Sequence, residues 1–171
     1  MGLLSGKPSK GLDFKDILYE KKNWVARITI NRPKAFNSFT TVTIDEMQRA
    51  LLDASRDDSV AVIVLTGAGE KAFCTGADIN EFSGSHIKGS THQYRWVVGD
   101  VLDTIRFITE TTKPTIARVN GAAVGGGNEL QAACDLAIAS DSAYFMQVGP
   151  RVGSVPAGGA TQWLPILIGE R

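Results

Sequence analysis

The stretch Val60 to Leu65 reads VAVIVL, apolar throughout, and stops at Thr66-Gly67. A short run without polar alternation is a strand covered on both faces, which a chain achieves by laying helices over a parallel sheet. The surrounding pattern agrees. Trp24 to Ile30 (WVARITI) alternates, with Ala26, Ile28 and Ile30 on one face, and ends at Asn31-Arg32-Pro33-Lys34, since proline cannot continue a ladder. Ile44, Met47, Leu51 and Ala54 recur at helical spacing, so a helix is expected to run to about Arg56, with Thr43 and Glu46 as its capping box. Tyr94, Val97, Val101, Ile105 and Ile108 form a second helical stripe, closed by Lys113-Pro114. Thr115 to Val119 and Leu136 to Ala139 read as strands, with Tyr144 to Gln147 as one more. Asn128 to Cys134 and Ala160 to Ile168 read as helices, and Ser83 to Ser90 as a polar, mobile loop. Strands alternating with helices predict an α/β fold with largely parallel strands.

The chain has 171 residues, enough for one sizeable core and too few for two ordinary domains. Eighteen Lys and Arg balance eighteen Asp and Glu, so the basic excess of a nucleic-acid binder is lacking. No apolar run reaches bilayer length, and the polar start lacks the apolar core of a secretory signal, so no membrane association is expected. Residues 1–15 read as a flexible tail and 16–171 as the core. The two cysteines, Cys74 and Cys134, have no metal spacing; with no export signal they imply reduced thiols in a cytoplasmic setting.

Two glycine-rich turns carry the chemistry. Ala72-Phe73-Cys74-Thr75-Gly76-Ala77-Asp78-Ile79 follows the buried strand. Asn120-Gly121-Ala122-Ala123-Val124-Gly125-Gly126-Gly127-Asn128-Glu129-Leu130 lies between a strand and a helix. Such turns let backbone N–H groups approach a ligand, and one donor from each, converging on one oxygen, makes an oxyanion hole. Both also read as plain structural turns, and spacing alone leaves the two readings open. The glycines do not form G-x-G-x-x-G, and no G-K-[ST] follows, which argues against dinucleotide and P-loop sites.

The segments AFCTGADI and KPTIARVNGAAVGGGNELQAACDLAIAS closely resemble the two signature regions of the crotonase (enoyl-CoA hydratase/isomerase) superfamily. ITINRPKAFNSF and GSVPAGGATQWLP resemble family segments too, so the likeness runs from about Leu18 onward. It implies a crotonase-like spiral of repeated ββα units that binds acyl-CoA, with coenzyme A as part of the substrate and no separate cofactor or metal. A trimer or hexamer is implied, as is a C-terminal helical part beyond Arg171. Carried over by position, the N–H groups of Ala77 and Gly126 form the oxyanion hole and Glu129 is the acid/base group. Arg32, Ala35, Thr75, Gly76, Asp78, Gly125, Gln147, Gly149 and Ser154 lie along the substrate. From the residues alone, Glu129 is equally a helix-terminal acid, Asp78 a turn or cap acid and Ser154 a turn serine. No catalytic role is assigned to His86, His92 or Cys74.

Family members share the enolate and differ in their proton-moving groups. A hydratase usually carries a second glutamate after Gln-Pro; here the order is Gln147-Val148-Gly149-Pro150-Arg151, with Gly149 at that place. The Q-x-G-P-[KR]-x-G-S pattern resembles dihydroxynaphthoyl-CoA synthases, in which a bound anion replaces the carboxylate, and ring-opening hydrolases. Synthases normally lack a glutamate at the position of Glu129 and carry aspartate near Pro156. Glu129 together with Gln162-Trp163-Leu164-Pro165 is closest to 6-oxocyclohexene-carbonyl-CoA hydrolases. The expectation is water addition to an enoyl-CoA, extending to ring opening. Isomerase or synthase-like chemistry, or a binding protein without catalysis, are the alternatives.

Overall fold

In the computed structural model, residues 12–83, 99–153 and 155–169 are described. Strand β1 (Ile17–Lys22) pairs antiparallel with β2 (Val25–Ile30) through a two-residue turn. Asn23 and Trp24 occupy that turn with φ of 52° and 69°, the doubly left-handed geometry that matches strand twist. Lys-Lys-Asn-Trp lacks the usual Asn-Gly signal, and so β1 was not foreseen.

The first sheet continues in parallel with β3 (Val62–Gly67), β5 (Thr115–Val119) and β7 (Leu136–Ala139), in the order β1-β2-β3-β5-β7. A second, all-parallel sheet comprises β4 (Ala72–Cys74), β6 (Ala122–Val124) and β8 (Phe145–Met146). Each of the last three units therefore supplies one strand to each sheet and then a helix, which is the expected ββα repeat. The helices are α1 (Thr41–Arg56), α2 (Ile79–Ser83), α3 (Leu102–Glu110), α4 (Gly126–Ala132) and α5 (Ala160–Ile168). Strands β4 and β6 were expected to be connecting turn; three residues are too few to show a period. Helix α4 likewise starts two residues earlier than expected, at the glycines themselves.

Helix α1 buries the stripe Ile44, Met47, Leu51 and Ala54 against Ile28, Ile30, Ile63 and Leu65. Its cap differs from expectation. Thr40 is the N-cap, and Thr40 and Thr43 hydrogen-bond each other's backbone N–H reciprocally. Glu46 faces the other way and accepts the N–H groups of Lys15, Asp16 and Ile17, fixing the start of β1. Phe14, at the described end of the expected tail, packs against the core.

Leu136 and Ile138 on β7, Phe145 and Met146 on β8, and Ile166 to Ile168 on α5 are exposed. The 83–90 loop beyond Ser83, His86, His92, the Tyr94–Val97 part of the second stripe, and Ser154 lie outside the described residues.

Candidate active site

Strands β4 and β6 are parallel neighbours, so their C-terminal ends, and the two glycine-rich turns that leave them, lie side by side. A Cβ at Gly76 would sit 3.0 Å from the Gly126 nitrogen and 3.2 Å from the Val124 oxygen, and Gly76 has φ of 87°. A Cβ at Gly126 would meet the Phe39 ring at 2.8 Å, and one at Gly127 would strike the Cys74 carbonyl. Only glycines let α4 start this close to β4 and to the first turn.

Both of the backbone donors named from sequence sit at this junction. Phe39 N–H donates to Gly76 O and Asp78 N–H donates to Phe39 O, each at 2.9 Å, in a parallel bridge centred on Ala77. That register uses the groups on either side of Ala77 and turns its own N–H away from Phe39. Gly126 is the first residue of α4, whose N–H has no intrahelical acceptor. Among the described residues neither N–H has a hydrogen-bond partner.

Glu129 lies one turn into α4 and is only 6% exposed. Its side chain does not return to its own helix terminus. Gly158 N–H donates to Oε1 at 3.0 Å, and the N–H of Ala160, at the start of α5, also donates to the carboxylate. Burial raises the Glu129 pKa, and the two backbone donors only partly oppose the rise. Gln147 reaches the second turn, its Nε2 lying 3.4 Å from Gly125 O, and Gly149 opens a single 3-10 turn, Gly149–Val152. No carboxylate stands at position 149.

Arg32 and Asp78 are engaged with each other rather than with open space. Arg32 Nη2 donates to Asp78 Oδ2 at 2.9 Å, and its Nη1 donates to the Ser38 carbonyl. Despite the opposing effect of burial, the Arg32 guanidinium and the Asn80 N–H hold the Asp78 carboxyl below its usual range. Ala35 is half-buried in the 3-10 turn Pro33–Ala35, and Thr75 Oγ1 donates to Phe36 O at 3.2 Å. Cys74 is fully buried and its thiol is pushed up to about 12, chiefly by desolvation, as befits a packing residue.

Sequence reasoning missed two asparagines that frame the turns. Asn37, wholly buried with φ of 55°, donates to Ala68 O at 2.9 Å and Ala72 O at 2.7 Å and accepts from Arg32 N–H. Asn120 accepts Gly67 N–H and donates to Gly69 O at 2.7 Å. Both pin the 67–72 connection from which the first turn leaves. Asparagine's tolerance of left-handed backbone was the one available signal at position 37.

The enoyl-CoA hydratase/isomerase family model matches residues 20–171. An enoyl-CoA hydratase from Bacillus anthracis is 36% identical with a TM-score of 0.83, over 91% of this chain and 59% of that one. DspI from Pseudomonas aeruginosa is 32% identical with a TM-score of 0.87, over 96% of this chain and 65% of that one. An enoyl-CoA hydratase/isomerase from Xanthobacter autotrophicus Py2 is 31% identical with a TM-score of 0.86, over 93% and 57%. The chain belongs to the enoyl-CoA hydratase/isomerase (crotonase) family. It spans roughly three fifths of the length of these solved relatives.

Proposed function

We propose that the protein binds an acyl-CoA thioester, receives its carbonyl oxygen on the N–H groups of Ala77 and Gly126, and adds water to an α,β-unsaturated acyl group. The observation that supports this reading is the contact between the two glycine turns, Gly76 lying against the Gly126 nitrogen, at two N–H groups that have no hydrogen-bond partner among the described residues. Donors aimed at a developing oxyanion cost no reorganisation during reaction, and each is worth several kcal/mol in the transition state. With the carbonyl polarised, the β-carbon is electrophilic. Glu129 takes a proton from water as oxygen bonds to the β-carbon, the enolate forms in the hole, and the proton returns to the α-carbon. Burial, which raises the Glu129 pKa, makes the carboxylate a stronger proton acceptor than a solvated glutamate.

The lack of a carboxylate at Gly149 leaves Glu129 to carry both transfers. The likeness of Glu129 with Gln162-Trp163-Leu164-Pro165 to ring-opening hydrolases favours ring opening of a conjugated cyclic oxo-enoyl-CoA as a finer reading, and the lone carboxyl also fits isomerisation, in which one carboxyl moves a proton between carbons. The acyl-CoA contacts of Ala35, Thr75, Gly125, Gln147, Gly149 and Ser154, and a trimeric or hexameric assembly, belong to the same proposal.

The test is turnover of crotonyl-CoA and of a cyclic conjugated enoyl-CoA in ¹⁸O-water, with products read by mass. Hydration places one ¹⁸O on the β-carbon, ring opening adds a second, and isomerisation adds none. The wild type should incorporate label and Glu129→Gln should bind without turnover. Binding without any turnover would leave a non-catalytic acyl-CoA protein, and the absence of CoA-ester binding would overturn the proposal.

A further inference from the structure

We infer that Arg32 and Asp78 form a positioning clamp that fixes the Ala77 N–H in the oxyanion site. The inference rests on the thioester reading above and assigns Arg32 a role other than gripping coenzyme A.

The geometry is specific. Arg32 Nε lies 3.4 Å from Asp16 Oδ2, its Nη1 donates to the Ser38 carbonyl and lies 3.2 Å from Ser38 Oγ, and its Nη2 donates to Asp78 Oδ2. Each nitrogen of the guanidinium thus has a protein partner, leaving little of the fork for a phosphate. The side chains of Arg32 and Asp78 are only 21% and 9% exposed, so the pair is poorly screened by water. The other anchor, Asp16 Oδ2, accepts the hydroxyls of Thr40 and Thr43 at the cap of α1.

The two residues held by this clamp bracket the donor. Asp78 immediately follows Ala77. Ser38 immediately precedes Phe39, whose backbone bonds to Gly76 O and Asp78 N–H on either side of Ala77. Side-chain and backbone links therefore join the same two segments, 38–39 and 76–78. Removing the guanidinium leaves Asp78 a charge without its partner and frees the segment carrying the Ala77 N–H to rotate. Gly126 N–H, held by α4, is untouched.

The test compares affinities for butyryl-CoA, for the S-butyl thioether of coenzyme A, which lacks the carbonyl, and for free coenzyme A, in the wild type, Arg32→Gln and Asp78→Asn. Two ground-state donors should give the wild type about a tenfold preference for thioester over thioether. Each variant should lose about threefold to fivefold of that preference, while free coenzyme A binds within about twofold of wild type. Asp78→Asn keeps the shape of the side chain and decides the matter alone if Arg32→Gln does not fold. A variant preference equal to that of wild type overturns the clamp. So does a large loss of free coenzyme A affinity in Arg32→Gln with the preference intact, which would make Arg32 a phosphate ligand. If the wild type itself shows no preference, the thioester reading fails first and the clamp falls with it.

Discussion

Replacing Gly76 by alanine puts a methyl group on the Gly126 nitrogen, and Gly69→Ala provides its control. Both glycines have positive φ, 87° and 76°, so both alanines incur the cost of left-handed backbone, about 1–2 kcal/mol. The surroundings differ. Nothing lies within 4 Å of a Cβ at Gly69, whereas at Gly76 the new atom is 3.0 Å from Gly126 N, a backbone atom fixed at the head of a helix. That crowding adds about 1–3 kcal/mol. Gly69→Ala should therefore cost about 1–2 kcal/mol and Gly76→Ala about 2–5 kcal/mol, read from urea midpoints at constant slope. At about 2–4 °C per kcal/mol for a chain of this size, Tm should fall by about 2–8 °C and about 4–20 °C respectively. The methyl also covers the Gly126 N–H, so Gly76→Ala should lose the preference for thioester over thioether and Gly69→Ala should keep it. Equal destabilisation by the two variants, or an unchanged preference in Gly76→Ala, would refute the close contact of the two turns.

Asn37→Ala removes two buried donors and one acceptor and places alanine at a left-handed φ; a loss of about 2–5 kcal/mol in a urea titration is expected. Lys21 first, and then Ser59, hold the Asp57 carboxyl well below the usual carboxylate range. Because the folded pKa is depressed, this stabilisation is present above about pH 4, the unfolded value, and is lost as pH falls through the folded pKa. Asp57→Asn should flatten the acid limb of the stability profile and cost about 1 kcal/mol at pH 7, measured by thermal melts across pH 2–7. Burial pushes the thiols of Cys74 and Cys134 up to about 12, so neither should react with a disulfide reagent at pH 8 until the chain is unfolded. Rapid labelling of native Cys74 would contradict its packing against Gly127.

Much of this architecture is written in local pattern. Val60 to Leu65 announces a central strand, and β3 is the middle strand of its sheet, although Val62 and Val64 are half-buried rather than covered on both faces. The α1 stripe and the limits of β5 and β7 follow from periodicity and from the residues that interrupt it. The features that were not legible depend on partners distant in sequence. Glu46 has the spacing of a capping-box acid, yet its carboxylate meets backbone about 30 residues upstream. Asp78 has the look of a turn acid, and it does accept Asn80 N–H, but its other oxygen is drawn to Arg32, which precedes it by 46 residues. The glycines of the second turn are plain in the sequence. That a helix begins on them follows only once β4 is seen to lie against Gly127.

One helix carries both Gly126 and Glu129. Three residues of α-helix advance about 4.5 Å along the axis, a spacing fixed by backbone hydrogen bonds rather than by side chains. Under the proposed function the helix is a ruler between the donor that would receive charge and the group that would move a proton. No substitution can lengthen it without unwinding the turn. On such a scaffold the proposed chemistry would change by exchanging the side chain at the far mark of the ruler, while the near mark stays where the three glycines put it.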